Sequence, residues 1–298
     1  MKLDQGSLTL SPTDLTVYLA CPHATALEIE NAHGRVPRPK VESQDTNLLR
    51  QKGDEHEAAF LAELEAKGKH VEKIKLGTAG FAAASAATVK AMSEGHEVIF
   101  QAVFARDGWR GLADFVMRVD RPSRLGDHSY EVIDTKLARS ARPSHILQLC
   151  FYSDEIAHIQ RPPAPVAFHV QLGSGELASF RPTDFGAYYR RLRRRFRTFV
   201  DDPPKTTAYP CSHCDMCDWQ PRCEKHWEDV DHLSRVAGLQ RRHATRLEDA
   251  GVTTLESLAG LPLFTTVPGI PDATVEKLRK QAALLGFSLQ PANAGAVS

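Results

Sequence analysis

The sequence predicts an α/β (α+β) protein, a small mixed sheet flanked by helices, followed by an all-helical C-terminal region. Three observations predict it. The hydrophobic period changes from helical to strand-like in the middle of the chain and back again later. Turn signals, Asp107-Gly108 and Gly173-Ser174-Gly175, punctuate the strand-like runs. An internal repeat with an offset of 31 residues fills the region after the last cysteine. Helix, strands, helix and strands in that order give a sheet with covered faces.

Residues 11–31 predict a helix, with Ser11 as N-cap, Pro12 in the first turn and Asp14 placed for a capping box. Cys21 falls within this helix or at a break in it, directly before Pro22. A second helix, residues 46–66, carries His56 and Glu57, and the alanine-rich stretch 81–92 gives a third. Residues 97–105 and 110–119 are β-rich runs joined at Asp107-Gly108, and 131–136 is a further short strand. A helix over 144–159 and strands over 166–172 and 177–181 follow. The next helix, residues 185–200, places Phe185, Tyr189, Leu192, Phe196 and Val200 on one apolar stripe. Its other faces carry Arg190, Arg191, Arg193, Arg194, Arg195 and Arg197. In the repeat, Gly238-Leu239 and Leu247 correspond to Gly269-Ile270 and Leu278, each copy being a helix, a glycine turn and a helix. The expected organisation is a main domain over 1–227, the repeat over 228–288 and a disordered tail over 289–298.

The composition is that of an ordinary globular protein, with 298 residues, 42% hydrophobic and 25% charged. No apolar run approaches the roughly 18 to 20 residues that span a bilayer, and the start lacks the apolar stretch of a signal peptide. A reducing, cytoplasmic setting without a membrane partner is expected. Basic and acidic residues balance at 37 each, so net charge is silent on a nucleic-acid partner. Four of the six cysteines, Cys211, Cys214, Cys217 and Cys223, crowd into thirteen positions, while Cys21 stands alone. Clustered thiols in such a setting are metal or iron-sulfur ligands rather than disulfides.

The chemistry is sought between those cysteines. Asp114 follows Gly111-Leu112-Ala113 on one strand, and Asp134 and Lys136 leave the same face of the next. Gln148 and Tyr152, four apart, share a helix face. Carboxylates beside a lysine suit a phosphodiester: hard oxygen donors hold a divalent ion, and the lysine orients water or stabilises the transition state. His56 as a nitrogen donor tilts such a site toward manganese without excluding magnesium.

Gly53 to His56, Gly111 to Asp114, Asp134 to Lys136 and Gln148 to Tyr152 together resemble the ordered motifs of RecB-type nucleases of the PD-(D/E)XK superfamily. Cys21 with Cys214, Cys217 and Cys223 resembles the iron-sulfur branch, which includes CRISPR-associated RecB-like exonucleases and the AddB nuclease domain. The repeat is similar to the helix-hairpin-helix extension of a bacterial RecB-like group. The resemblance implies a restriction-endonuclease-like core and a Mg2+- or Mn2+-dependent deoxyribonuclease, with metal held by His56, Asp114, Asp134 and the Thr135 carbonyl. It implies Lys136 as catalytic lysine, Gln148 and Tyr152 as orienting residues, and a 4Fe-4S cluster on the four named cysteines. The substrate expected is DNA, single-stranded or at ends, in repair, recombination or defence, with a helicase or repair partner.

Each element also has a plain structural explanation. Asp-x-Lys and Gln-x-x-x-Tyr are common singly, and their order and context carry the argument. The extra Cys211 keeps open a local four-cysteine zinc site. An arginine run without an acid exceeds what solubility needs, so Arg190, Arg194 and Arg197 are expected on phosphates, with turn amides near Gly238 and Gly269. A catalytically inactive iron-sulfur or zinc DNA-binding module working with a helicase is the alternative from another class.

Overall fold

In the computed structural model, which describes residues 1–4, 6–39 and 44–288, Ser11 caps the first helix as its sequence requires. Its hydroxyl accepts the Asp14 N–H at 3.3 Å, and the Asp14 carboxylate accepts the Ser11 N–H at 2.8 Å. The helix α1 (Pro12–Ala20) stops at Cys21, which caps the next helix, α2 (Pro22–Ala32). Proline at the second helix's first position has no N–H to donate to α1 and a φ already suited to starting anew. The helical stretch expected over 11–31 is therefore two helices, and of the two places the sequence left open for Cys21 it takes the break between them.

The chain divides into two units, the first built from Met1–Pro37 and Val41–Pro204 and the second from Arg38–Lys40 and Lys205–Ser298. The second unit thus takes in the late cysteines, which the sequence had placed with the main domain.

In the first unit, β1 (Lys2–Asp4) and β2 (Ser7–Thr9) form a two-stranded ribbon. Six further strands form one mixed sheet in chain order: β3 (Val71–Lys73), β4 (Val98–Arg106), β5 (Trp109–Val119), β6 (Ser129–Lys136), β7 (Phe168–Leu172) and β8 (Leu177–Phe180). The pairs β3–β4 and β6–β7 are parallel and the rest antiparallel. Asp107 and Gly108, at φ +52° and +74°, make the two-residue hairpin turn that matches strand twist. The mixed sheet flanked by helices is what the sequence predicts. Strands β1 to β3 are additions, each too short for an alternating pattern to show.

Four helices cover the sheet. On one side α3 (Gln44–Ala66) packs Phe60, Leu61 and Leu64 onto Val98, Phe115 and Ile133, with the Phe60 and Phe115 rings edge to face at 5.0 Å. The larger core joins α4 (Gly80–Glu94), α5 (Pro143–Gln160) and α6 (Pro182–Asp201) through Met92, Val103, Val116, Leu149, Ile156 and Phe196. Along α6 the predicted stripe is buried at Tyr189, Leu192, Phe196 and Val200, with Phe185 partly so. Cys150 is buried, and burial pushes its thiol up to about 12, so it packs as an apolar side chain.

Among its described residues the second unit has the α-helices α7 (Gln220–Asp229), α8 (Arg241–Asp249), α9 (Leu255–Ala259) and α10 (Asp272–Ser288). Its separate core includes Val236, Ala244 and Leu247 from one copy of the repeat and Val267, Val275 and Leu278 from the other. In both copies the residue after the glycine donates to a valine carbonyl three residues back: Leu239 to Val236 at 3.1 Å, Ile270 to Val267 at 3.0 Å. Both glycines stand at φ +77°, where a side chain would strain the backbone. The first copy departs from expectation: its leading element is a three-residue 3-10 turn, Leu233–Arg235, because the glycine turn follows at once. The tail expected over 289–298 lies outside the described residues. Among the described residues, no helix is long and apolar enough to cross a membrane.

Candidate active site

Strands β5 and β6 pair from Val119↔Ser129 as far as Phe115↔Ile133 and no further. Asp114 occupies the place where the ladder ends. Its Oδ2 accepts the Thr135 N–H at 2.8 Å and the Thr135 hydroxyl at 2.9 Å, so a side chain replaces the missing backbone partner. This sets Asp114 beside Asp134, one residue earlier on β6.

Asp134 is fully buried, and among the described residues no hydrogen bond of regular geometry reaches either carboxylate oxygen. Its close neighbour is Lys136, whose Nζ lies 2.5 Å from Oδ2 and donates to the Thr135 carbonyl at 3.1 Å. Burial first, and the Asp114 charge second, push the Asp134 carboxyl up to about 8. A buried carboxylate normally finds donors; this one is left with a single cation.

His56 sits on α3 with Nε2 3.3 Å from the Gln171 carbonyl. Gln171 is the β7 partner of Thr135, which puts His56 over the same rung of the sheet. On α5, Gln148 hydrogen-bonds Tyr152, whose hydroxyl donates to the Leu112 carbonyl on β5. Burial raises the Tyr152 phenol, so it stays a neutral donor. Gly111 has a packing reason: a Cβ there would meet Tyr152 Cε1 at 2.9 Å and Phe151 Cε1 at 3.0 Å. Gly53 has none, since the space above it is open. All the sequence-predicted residues of the catalytic set are thus brought to the end of the β5–β6 pair or to the helices over it.

Two residues of this neighbourhood were missed by the sequence. Glu57, next to His56, is hydrogen-bonded by the Gln101 amide; burial, then Asp114, raises its carboxyl. Gln101 stands in β4 between the Phe100↔Phe115 and Ala102↔Ala113 rungs, at the level of Asp114. It holds φ +56°, a costly conformation for a side chain other than glycine. Glu57 could have been suspected from its place beside His56; nothing local signals Gln101.

Among the described residues, no group of three or more His, Cys, Asp or Glu side chains is arranged to hold a metal ion. The donors nevertheless fit a hard divalent cation. Asp134 Oδ2 and the Thr135 carbonyl converge on one positive centre, the Lys136 ammonium, and Asp134 keeps oxygens without a donor.

The cysteines divide between the units. Cys21 Sγ accepts the Ala24 N–H at 3.4 Å at the start of α2. In the second unit Cys214 Sγ accepts the Cys211 N–H at 3.3 Å and lies 3.9 Å from Cys211 Sγ, with Cys223 on α7. On α6, Arg190, Arg191, Arg194 and Arg195 are exposed. Arg193 instead pairs with Asp154 at 3.0 Å and lies over the Trp109 ring, and Arg197 pairs with Asp201 at 3.0 Å. The Gly238 turn is open, whereas the Arg246 guanidinium lies over Gly269 and donates to the Pro268 carbonyl at 3.3 Å.

A family model described as the PD-(D/E)XK nuclease superfamily matches residues 9–224, which include His56, Asp114, Asp134, Lys136, Gln148 and Tyr152. Comparison with the curated proteins finds no match.

Proposed function

The chain belongs to the PD-(D/E)XK nuclease superfamily, and from that premise we propose that it is a RecB-like, metal-dependent deoxyribonuclease acting as an exonuclease on single strands or DNA ends, in repair, recombination or defence. The observation that supports it best is Asp134, buried beside Asp114 with the Lys136 ammonium as its close neighbour and no hydrogen bond of regular geometry to either oxygen among the described residues. Such an arrangement costs stability and is retained where a cation is to be bound.

His56, Asp114, Asp134 and the Thr135 carbonyl would hold Mg2+ or Mn2+. The metal supplies positive charge to the scissile phosphate and acidifies the attacking water. Lys136, at the Asp134 carboxylate, orients that water and stabilises charge on the phosphoryl oxygens. Asp114, through Thr135, fixes the end of β6, and Tyr152 with Gln148 fixes the strand that carries Asp114. Arg190, Arg194 and Arg197 on α6 are proposed phosphate contacts, with Arg197 the weaker because Asp201 neutralises it. In the second unit the turn amides at Gly238 and Gly269 are proposed to meet a DNA backbone as a helix-hairpin-helix pair. A helicase or repair protein is the proposed partner.

For the cysteines we propose a 4Fe-4S cluster on Cys21, Cys214, Cys217 and Cys223. The 3.9 Å approach of Cys211 to Cys214 favours a second reading, a zinc ion held locally by Cys211, Cys214, Cys217 and Cys223. Iron, sulfide and zinc analysis after anaerobic purification decides between them.

The function is tested with purified protein, Mn2+ and end-labelled single-stranded DNA. Cleavage abolished by Lys136→Ala and by Asp134→Ala is expected. Binding without cleavage under Mg2+ and Mn2+ would overturn the enzyme in favour of a DNA-binding module.

A further inference from the structure

Beside the N-terminus of α5 the first unit carries an open groove of about 500 Å³ that the catalytic residues do not use. Leu19 of α1, Pro143 and Ile146 of α5, Phe180 of β8, and Phe185 and Tyr188 of α6 line it. Phe180 and Phe185 are packed on the core and form its floor. Tyr188 is 55% exposed and Leu19 43%, so its walls present apolar faces to solvent.

The charge around the groove is predominantly positive, since Asp184, four residues before Tyr188 on the same face of α6, is paired with Arg181 at 3.1 Å. Arg142 lines the groove, and Arg191 and Arg195 follow Tyr188 at three and seven residues along α6, on the same face. Both are exposed, and the ion pairs of the described α6 arginines fall instead on Arg193 and Arg197. An aromatic wall continued by a row of exposed arginines is the pattern that takes a nucleic acid strand, the ring stacking on a base and the guanidiniums following phosphates. A base offers its flat face only when unpaired, and a duplex keeps it inside the stack. The place is also suitable. Ala141 of the groove lies five residues beyond Lys136, a reach of at most about 17 Å for an extended chain, so one short stretch of strand can span both.

We propose that this groove seats an unpaired nucleobase of the strand whose phosphodiester reaches Asp114, Asp134 and Lys136. The proposal rests on the nuclease reading and gives its substrate class, a single strand gripped by stacking.

The experiment measures binding of fluorescent oligonucleotides to the full chain in chelator, where no cleavage occurs. Strands carry one abasic position moved along their length. Wild type should lose about 5- to 140-fold in affinity when the abasic position falls in the groove, the range that stacking one base supplies. Tyr188→Ala should lose a comparable factor on the intact strand and become indifferent to that abasic position, whereas Tyr188→Phe keeps the wild-type profile. Tyr188 is exposed, so an unchanged melting temperature shows that the variant is folded. The proposal is overturned if Tyr188→Ala binds intact strands as wild type does, if both proteins give the same abasic profile, or if duplex binding falls equally. It is also overturned if Tyr188→Ala instead changes the oligomeric state, which would assign the groove to a second copy. Cleavage with Mn2+ is scored separately: its absence alongside the predicted abasic profile refutes the nuclease, not the groove.

Discussion

Asp134→Asn should make the metal-free protein more stable while destroying its activity. Asp134 is wholly buried, its oxygens accept no regular hydrogen bond, and Asp114 stands beside it. Burial and that neighbour carry the carboxyl from an ordinary value near 3.8 to about 8. At about 1.4 kcal/mol per pH unit, ionised Asp134 therefore costs the fold up to roughly 6 kcal/mol, and about 5 kcal/mol near pH 7.5. A buried amide in its place lacks partners too and gives back about 1–3 kcal/mol. The net gain of about 2–4 kcal/mol corresponds to a rise of about 5–15 °C in melting temperature for a domain of this size. The sign with pH follows from the raised folded value. Ionisation is penalised only above the unfolded value, so wild type gains stability from this group as pH falls from 8 toward 4, and the variant's advantage shrinks over that window. Thermal unfolding of chelated protein at pH 8 and pH 5 measures both. Adding Mn2+ should raise the melting temperature of wild type, because a ligand that binds the folded state alone stabilises it, and should leave the variant unmoved. A variant that melts at or below wild type at pH 8 without metal, or an advantage as large at pH 5, would refute the account of Asp134 as an unsatisfied buried acid.

Two other changes test the surroundings of that acid. Gly111→Ala places a Cβ 2.9 Å from Tyr152 Cε1; an overpacking loss of about 1–3 kcal/mol in denaturant unfolding is expected, with a fall in cleavage rate as Tyr152 leaves the Leu112 carbonyl. Gln101→Gly removes both the strained φ of +56° and the bond to Glu57. The protein should gain about 1 kcal/mol while its Mn2+ affinity, measured by calorimetry, weakens; an unaltered Mn2+ affinity would make Gln101 a purely structural residue.

Much of the first unit was legible because its signals are local. Ser11, Pro12 and Asp14 cap a helix through groups within four residues of one another. Asp107-Gly108 turns a hairpin because both can hold positive φ. The stripe on α6 needs only helical periodicity. Other features were not legible for the opposite reason. Strand β3 has three residues and exists because β4 offers it an edge. The Gly269 turn looks as open in sequence as Gly238, yet Arg246, 23 residues earlier, lies over it. The late cysteines follow the main domain in sequence without a composition break, and only the distribution of contacts assigns them to the second unit.

By itself the sequence determined the longer helices and strands of the first unit, their order, and the identity and order of His56, Asp114, Asp134, Lys136, Gln148 and Tyr152, since residue type and short-range spacing are what a chain states directly. Only the tertiary structure decided that β5 and β6 part at Phe115 so that Asp114 takes Thr135 as its partner, that Asp134 loses every donor except a lysine, and that Glu57 and Gln101 join them. Desolvation and the meeting of charges from separate strands depend on which distant residues exclude water from one another, and no local stretch of sequence encodes that.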